Sequence, residues 1–233
     1  MQVKLPEGVK HYYIMEMMDE PECVNKALNF GARLMTAKAM VRLGGLEKYE
    51  EKLMQVDNLI LAACGTSHYA TKYVEVLLRK LGSFDFVECK IASEITEQDL
   101  MFKQPERAAL LCVSQSGETM DLLIPFRLAK EFGLNRINVV NKVNSTLARE
   151  NDCGVFINCG RELSVASTKA YTSQVVCLIL VALWFAQRKS FNQTKRLRAE
   201  MINELKMLPQ NMQRVIETCN PFSIFVAQYL AKC

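Results

Sequence analysis

The sequence predicts an α/β domain built on a five-stranded parallel sheet, with extra helices before and after it. Three observations carry this. The run Asn58-Leu-Ile-Leu-Ala-Ala63 is apolar without alternation, the pattern of a strand buried on both faces. Strand-like and helical segments then alternate at βαβ spacing, which places crossover helices on both faces of a sheet. From about residue 166 onward every periodic stretch is helical, so the sheet is complete by about residue 160.

Taken in order, residues 11–42 read as two helices, the first ending near Pro21. Leu43-Gly44-Gly45 interrupts the pattern, and residues 46–55 resume it. After the strand at 58–63, residues 67–81 form a helix closed by Gly82, a residue type suited to the left-handed position past a helix end. Strands follow at 84–89, 108–113, 136–140 and 154–157, with a helix over 119–132 closed by Gly133. Residues 166–187 and 192–208 are helical, Pro209 kinks or ends a helix, and a last segment restarts at Pro221.

Composition excludes several classes. The longest apolar run, residues 175–186, is too short to span a bilayer and reads as a buried helix. Nine cysteines show no CxxC spacing, and several lie in apolar runs where a thiol acts as a small hydrophobe, which points to a reducing compartment. Two histidines without a nearby cysteine cluster give no zinc pattern. The basic residues Arg188, Lys189, Lys195, Arg196 and Arg198 lack interleaved aromatics and are followed by Glu200 and Glu204, so they read as a solvated helix surface and not a nucleic-acid patch. No metal, cofactor, nucleic acid or membrane is expected.

Three loops at the C-terminal edge of the expected sheet share a composition: Cys64-Gly65-Thr66-Ser67-His68, Ser114-Gln115-Ser116-Gly117-Glu118-Thr119, and Ser164-Val165-Ala166-Ser167-Thr168-Lys169. Each is small, rich in hydroxyls and placed where a helix begins. Helix starts direct unpaired N–H groups and positive dipole ends outward. With glycine allowing close approach and Ser or Thr adding short donors, they suit a phosphate dianion. The same hydroxyls also serve as N-caps. Neither a GxGxxG fingerprint nor a GxxxxGK[ST] loop is present, and the serines lack a GxSxG context. His68 faces either ligand or the first turn of its helix. Glu118, an anion, is better suited to orienting its loop or binding sugar than to facing a phosphate.

These motifs resemble the first of two sugar-isomerase (SIS) modules in the glucosamine-6-phosphate synthase family, the glutamine:fructose-6-phosphate amidotransferases. The resemblance rests on His11 through Pro21, Leu43-Gly44-Gly45, Ala63-Cys64-Gly65-Thr66-Ser67, Ser114 through Thr119, Glu150 through Gly154, and Val165 through Thr172. It implies a flavodoxin-like three-layer αβα SIS fold, a homodimer and a cytoplasmic setting. It divides the chain into an N-terminal helical segment (1–50), the SIS domain (51–208) and a helical tail (209–233) that starts the linker to a second SIS module. It further implies a phosphate cradle for fructose 6-phosphate or glucosamine 6-phosphate made of Thr66, Ser114, Gln115, Ser116 and Thr119. Gly65 and Ser67 would shape the first loop, with Val165 and Ser167 approaching the sugar. Two departures stand out: His68-Tyr69 inverts the family's Tyr-His, and Cys159-Gly160-Arg161-Glu162 replaces Ala-Gly-Pro-Glu.

In that family the second module brings the catalytic glutamate, histidine and lysine, and these have no counterpart here, nor does the glutaminase domain with its cysteine at position 2. No residue of this chain is therefore assigned a catalytic role by the resemblance. A self-sufficient phosphosugar isomerase working across a dimer interface would have to draw on Glu118, Glu162 or His68. A non-catalytic regulatory SIS protein is the third reading.

Overall fold

The computed structural model describes Leu5, Val9 and residues 11–232. Two short helices come first, α1 (Tyr12–Met18) and α2 (Glu20–Ala27). Pro21 sits in the first turn of α2, where a missing N–H costs nothing, so it opens this helix instead of closing the one before. The second expected helix is much shorter than the sequence reading to residue 42. It stops at Ala27 because Asn29, Phe30 and Gly31 all take positive φ (51°, 51° and 86°), which a right-handed helix does not admit. A small antiparallel hairpin of β1 (Leu34–Met35) and β2 (Met40–Val41) replaces the helix there. Arg33 fixes the reversal, donating to Ala27 O (2.6 Å) and to Phe156 O (2.9 Å). Then come α3 (Gly44–Glu47) and α4 (Glu50–Met54). Gly44 and Gly45 open a short helix here instead of breaking one. At Gly45 a Cβ would overlap the Gly154 carbonyl, so glycine is what lets this turn lie against the sheet edge.

The sheet contains β3 (Asn58–Ala63), β4 (Phe86–Ile91), β5 (Ala108–Ser114), β6 (Asn135–Val140) and β7 (Cys153–Phe156), parallel throughout in the order β4-β3-β5-β6-β7. The helices α5 (Gly65–Leu81), α6 (Glu97–Leu100), α7 (Met120–Glu131) and α8 (Thr146–Arg149) lie between the strands. Gly82 closes α5 at φ 61°, as its position in the sequence predicts. Successive β3 residues feed two cores. Leu59, Leu61 and Ala63 pack with α5 and the helices beyond it; Ile60 and Ala62 pack with Leu122 and Phe126 of α7. This is the three-layer α/β fold, and the two-sided burial explains why β3 and β5 lack polar alternation.

The C-terminal part is two helices, α9 (Lys169–Lys189) and α10 (Phe191–Leu230). By length and composition α9 could cross a membrane, yet it is buried along most of its length inside the fold. It packs on α5 and β6 on one side and on α2 and α10 on the other, so the apolar stretch that had no evident solvent face is covered within the chain. α10 runs unbroken through Pro209 and Pro221, where the sequence pointed to a break. A mid-helix proline costs about 3 kcal/mol. At Pro209 burial on the α2 side offsets that cost, with Leu205 buried one turn earlier.

Arg198 is a second departure from a solvated surface. It is fully buried, and it donates to Ala39 O (2.7 Å), Phe191 O (2.8 Å) and the Thr194 hydroxyl (3.0 Å). It thus ties α10 to the β1–β2 hairpin. Arg196, two residues away, has an exposed side chain paired with Glu200. Arg198→Ala should lower unfolding stability by about 2–4 kcal/mol, since it leaves buried carbonyls without a donor. Arg196→Ala should leave the urea midpoint where it is. Equal midpoint shifts for the two variants would show that Arg198 does not hold the hairpin.

Candidate active site

The chain leaves β3 toward β4 on one side, then crosses back to β5 on the other. The strand order therefore reverses between β3 and β5, where open α/β sheets leave a ligand crevice at the carboxyl ends of the strands. Register makes the reversal local. Ala63 lies opposite Val113, which brings Cys64 and Ser114 side by side as the two strands end. From there α5 starts on one face and α7 on the other, because the two helices belong to opposite cores.

Both helix starts are open. α5 begins at Gly65 itself, two residues before the sequence reading, so Gly65 and Thr66 lie in its first turn and both are exposed. Gly65 takes φ 57°, a conformation few residues other than glycine adopt. Neither Cys64 nor Thr119, the residues before α5 and α7, caps its helix through its side chain. The first-turn N–H groups and both dipole ends therefore face the crevice without a side-chain acceptor from those caps. Among the described residues, the Thr66 hydroxyl and the Gln115 amide have no hydrogen-bond partner.

The 114–119 loop is folded on itself. Ser114 Oγ accepts from Gly117 N (2.9 Å) and lies 3.4 Å from Thr119 Oγ1, while Ser116 Oγ accepts from Glu118 N (3.2 Å). Gly117 takes φ 65°, and a Cβ there would overlap the Ser145 side chain. Glu118 turns to the neighbouring loop: Oε1 accepts from Thr146 N at 2.9 Å, at the start of α8. His68 Nδ1 lies 3.6 Å from the Cys89 thiol on β4. Burial pushes the Cys64 thiol up, with Asp121 adding to the effect, so Cys64 at the mouth is a thiol and not a thiolate at neutral pH.

Ser67 is buried in the first turn of α5, where its hydroxyl accepts from Gln174 Nε2 at 2.9 Å. That bond draws α9, and with it the third loop, to the same edge. The third helix start differs from the other two. Glu162 Oε1 accepts from Thr168 N (2.8 Å) and Ala170 N (3.3 Å), so the positive end of α9 already meets a carboxylate. Val165 is fully exposed and Ser167 half-buried.

The clamp on this loop comes from the N-terminal helices. Glu16, fully buried on α1, accepts from Leu163 N, from the Ser164 hydroxyl and from Ser164 N (3.2 Å). Asp19 pairs with the buried Lys169 (3.5 Å), and Glu20 accepts from the Thr172 hydroxyl (3.0 Å). None of Glu16, Gln174 and the capping role of Glu162 is readable from loop composition. The one sequence signal for Glu16 is a lone acid flanked by Met15 and Met17 in a short apolar run.

The crevice, then, belongs to a doubly wound α/β protein that would receive an anion on two helix starts. Residues 52–183 match the SIS domain model, and the chain belongs to the SIS domain family. It is 36% identical over 207 residues to a probable glutamine–fructose-6-phosphate aminotransferase [isomerizing] of Schizosaccharomyces pombe, a match covering 88% of this chain and 29% of that protein. It is 35% identical over 211 residues to the glutamine–fructose-6-phosphate aminotransferase [isomerizing] of Thermus thermophilus, covering 90% and 33%. The C-terminal domain of glucosamine-fructose-6-phosphate aminotransferase from Francisella tularensis superposes with a TM-score of 0.78 at 30% identity, over 89% of this chain and 56% of that one. The chain thus spans about a third of the length of the relatives it matches in sequence.

Hydrogen bonds from Thr146 hold the Glu118 carboxyl below its ordinary value of 4.5. Because the folded value is the lower one, the tie persists above pH 4.5 and is released as pH falls through the depressed value. The Thr146 amide resonance should be flat above pH 4.5 and move with a midpoint below it. An amide that does not follow the Glu118 titration would show that the two loops are not joined.

Proposed function

We propose that this chain is the sugar-phosphate-binding SIS module of a glutamine:fructose-6-phosphate aminotransferase, binding fructose 6-phosphate or glucosamine 6-phosphate in cytoplasmic hexosamine biosynthesis, and that it works as a homodimer. The observation that carries this is the pair of uncapped helix starts set side by side by the β3–β5 register, with hydroxyls on both. A phosphate dianion needs donors converging from several directions, and first-turn N–H groups of α5 and α7 supply them from opposite faces of the sheet. Thr66, Gln115, Ser116 and Thr119 are the side chains placed to add to them. Ser114, largely buried, holds the turn through Gly117 and passes its hydroxyl toward Thr119. The exposed Val165 and the half-buried Ser167 would meet the sugar.

The three acid–base candidates are engaged elsewhere. His68 faces Cys89, Glu118 holds Thr146 and Glu162 accepts from the first-turn N–H groups of α9, so none is presented to a C1–C2 proton transfer. This supports a binding role for these 233 residues.

Binding should be saturable for fructose 6-phosphate by calorimetry and far weaker for fructose. Ser116→Ala and Thr119→Ala should each weaken it about tenfold or more, since hydrogen bonds to a charged group are worth roughly 1.5–3 kcal/mol. Equal affinity for the sugar and its phosphate would refute the cradle.

A coupled assay of the same chain should detect no glucosamine 6-phosphate from fructose 6-phosphate with glutamine or ammonia. Turnover abolished by Glu118→Gln or His68→Ala would instead support a self-sufficient isomerase.

A further inference from the structure

The stretch from His11 to Pro21 carries part of the family resemblance, yet none of it enters the phosphate cradle. Its helix, α1, is seated in an unusual way. Glu16 is the one buried residue of α1, while Tyr13, Ile14, Met17 and Met18 are 40–44% exposed. A helix that buries its carboxylate and leaves these apolar side chains partly in water is not placed by hydrophobic packing alone. Burying a carboxylate is costly unless donors meet it. The donors that meet this one are Leu163 N, the Ser164 hydroxyl and Ser164 N (3.2 Å), all from the third loop of the crevice.

The other end of that loop is held by Glu162, through Thr168 N and Ala170 N. Between the two anchors lie Val165, Ala166 and Ser167, the first two exposed and the third half-buried. We propose that Glu16 is a positioning residue for the sugar end of the ligand: by holding Leu163 and Ser164 it orders the 165–167 span at the crevice before anything binds. The inference rests on the sugar-phosphate reading above and deepens it. A short span tied at both ends has few conformations left to lose when a ligand settles on it; released at one end, its ordering opposes binding. The phosphate end is independent of this tie, because the cradle stands on the starts of α5 and α7 and Glu16 touches neither. Glutamine at position 16 would keep one acceptor oxygen and turn an NH2 group toward N–H donors.

Calorimetry of the 233-residue chain separates the two ends of the ligand. Glu16→Gln should bind fructose 6-phosphate about tenfold or more weakly than the parent, with inorganic phosphate affinity within about twofold. Ser164→Ala removes one donor from the loop side and leaves α1 unaltered; it should weaken fructose 6-phosphate about threefold and spare phosphate. Glu20→Ala, which frees the same N-terminal helices at Thr172 and leaves 163–164 held, should change neither affinity. Amide hydrogen exchange at Leu163 and Ser164 should quicken in Glu16→Gln and stay at the parent rate in Glu20→Ala. Glu16→Gln and Ser164→Ala variants that lower both affinities equally, or lower neither, would overturn the positioning role and leave the cradle standing; so would a Glu20→Ala variant that matches Glu16→Gln. A parent chain that binds neither ligand would overturn the functional reading and this inference together.

Discussion

Burial of α9 on every side is the constraint around which the molecule is arranged. Its apolar residues, Trp184 and Phe185 among them, must be covered both toward the sheet and away from it, and the covering elements come from both ends of the chain: α2 from the start and α10 from the end. A helix so enclosed has to find distant partners for its polar side chains, and it does so for some of them, while the Ser173 hydroxyl and Gln174 Oε1 have no partner among the described residues. Gln187 is met on both sides of its amide, accepting from Val41 N (2.7 Å) and donating to Val41 O (2.9 Å), which gives β2 a substitute for a missing neighbouring strand. Gln174 spends its amide on Ser67. The Trp184 indole N–H has no partner among the described residues, and the Arg188 guanidinium stacks over the ring at 4.0 Å. Through these contacts α9 sets the position of the hairpin and of the first turn of α5.

The crevice inherits its asymmetry from the same helix. All three loops begin a helix, and composition makes them look equivalent. The difference is electrostatic. At α9 an acidic residue already satisfies the helix start, and three more acids on or beside α1 and α2 hold the approach to it. At α5 and α7 the corresponding positions are a cysteine and a threonine that make no side-chain cap. An incoming dianion is attracted to the second kind of start and repelled by the first. On the proposed function, the third loop would therefore meet the part of the ligand that carries no charge.

α10 shows what decides whether a proline ends a helix. Up to Met212 its apolar residues pack against the core, and Pro209 lies buried within that stretch. Where a face is held in this way, the loss of one backbone hydrogen bond is too small to end the helix. Pro221 lies among exposed residues, and packing gives no account of the unbroken helix there.

The strands were legible in the sequence because a parallel strand buried on both faces leaves a continuous apolar run, and the helices between them because Gly82 and Gly133 mark their ends. The loops of the crevice were legible for a related reason: a helix start is encoded within a few residues, and so are the hydroxyls that surround it. What misled was also local. Residues 28–42 carry helix-compatible periodicity but form a hairpin, because three left-handed residues and the long-range bonds of Arg33 and Gln187 prevail over propensity. The sequence by itself determined the order of the elements and the composition of each loop. Only the tertiary structure decided which of those polar groups are consumed internally, because their partners lie far away in the chain: Ser164 meets Glu16 across 148 residues, and Ser67 meets Gln174 across 107. No spacing rule reaches that distance, and the pairs form only when burial of α9 brings them together.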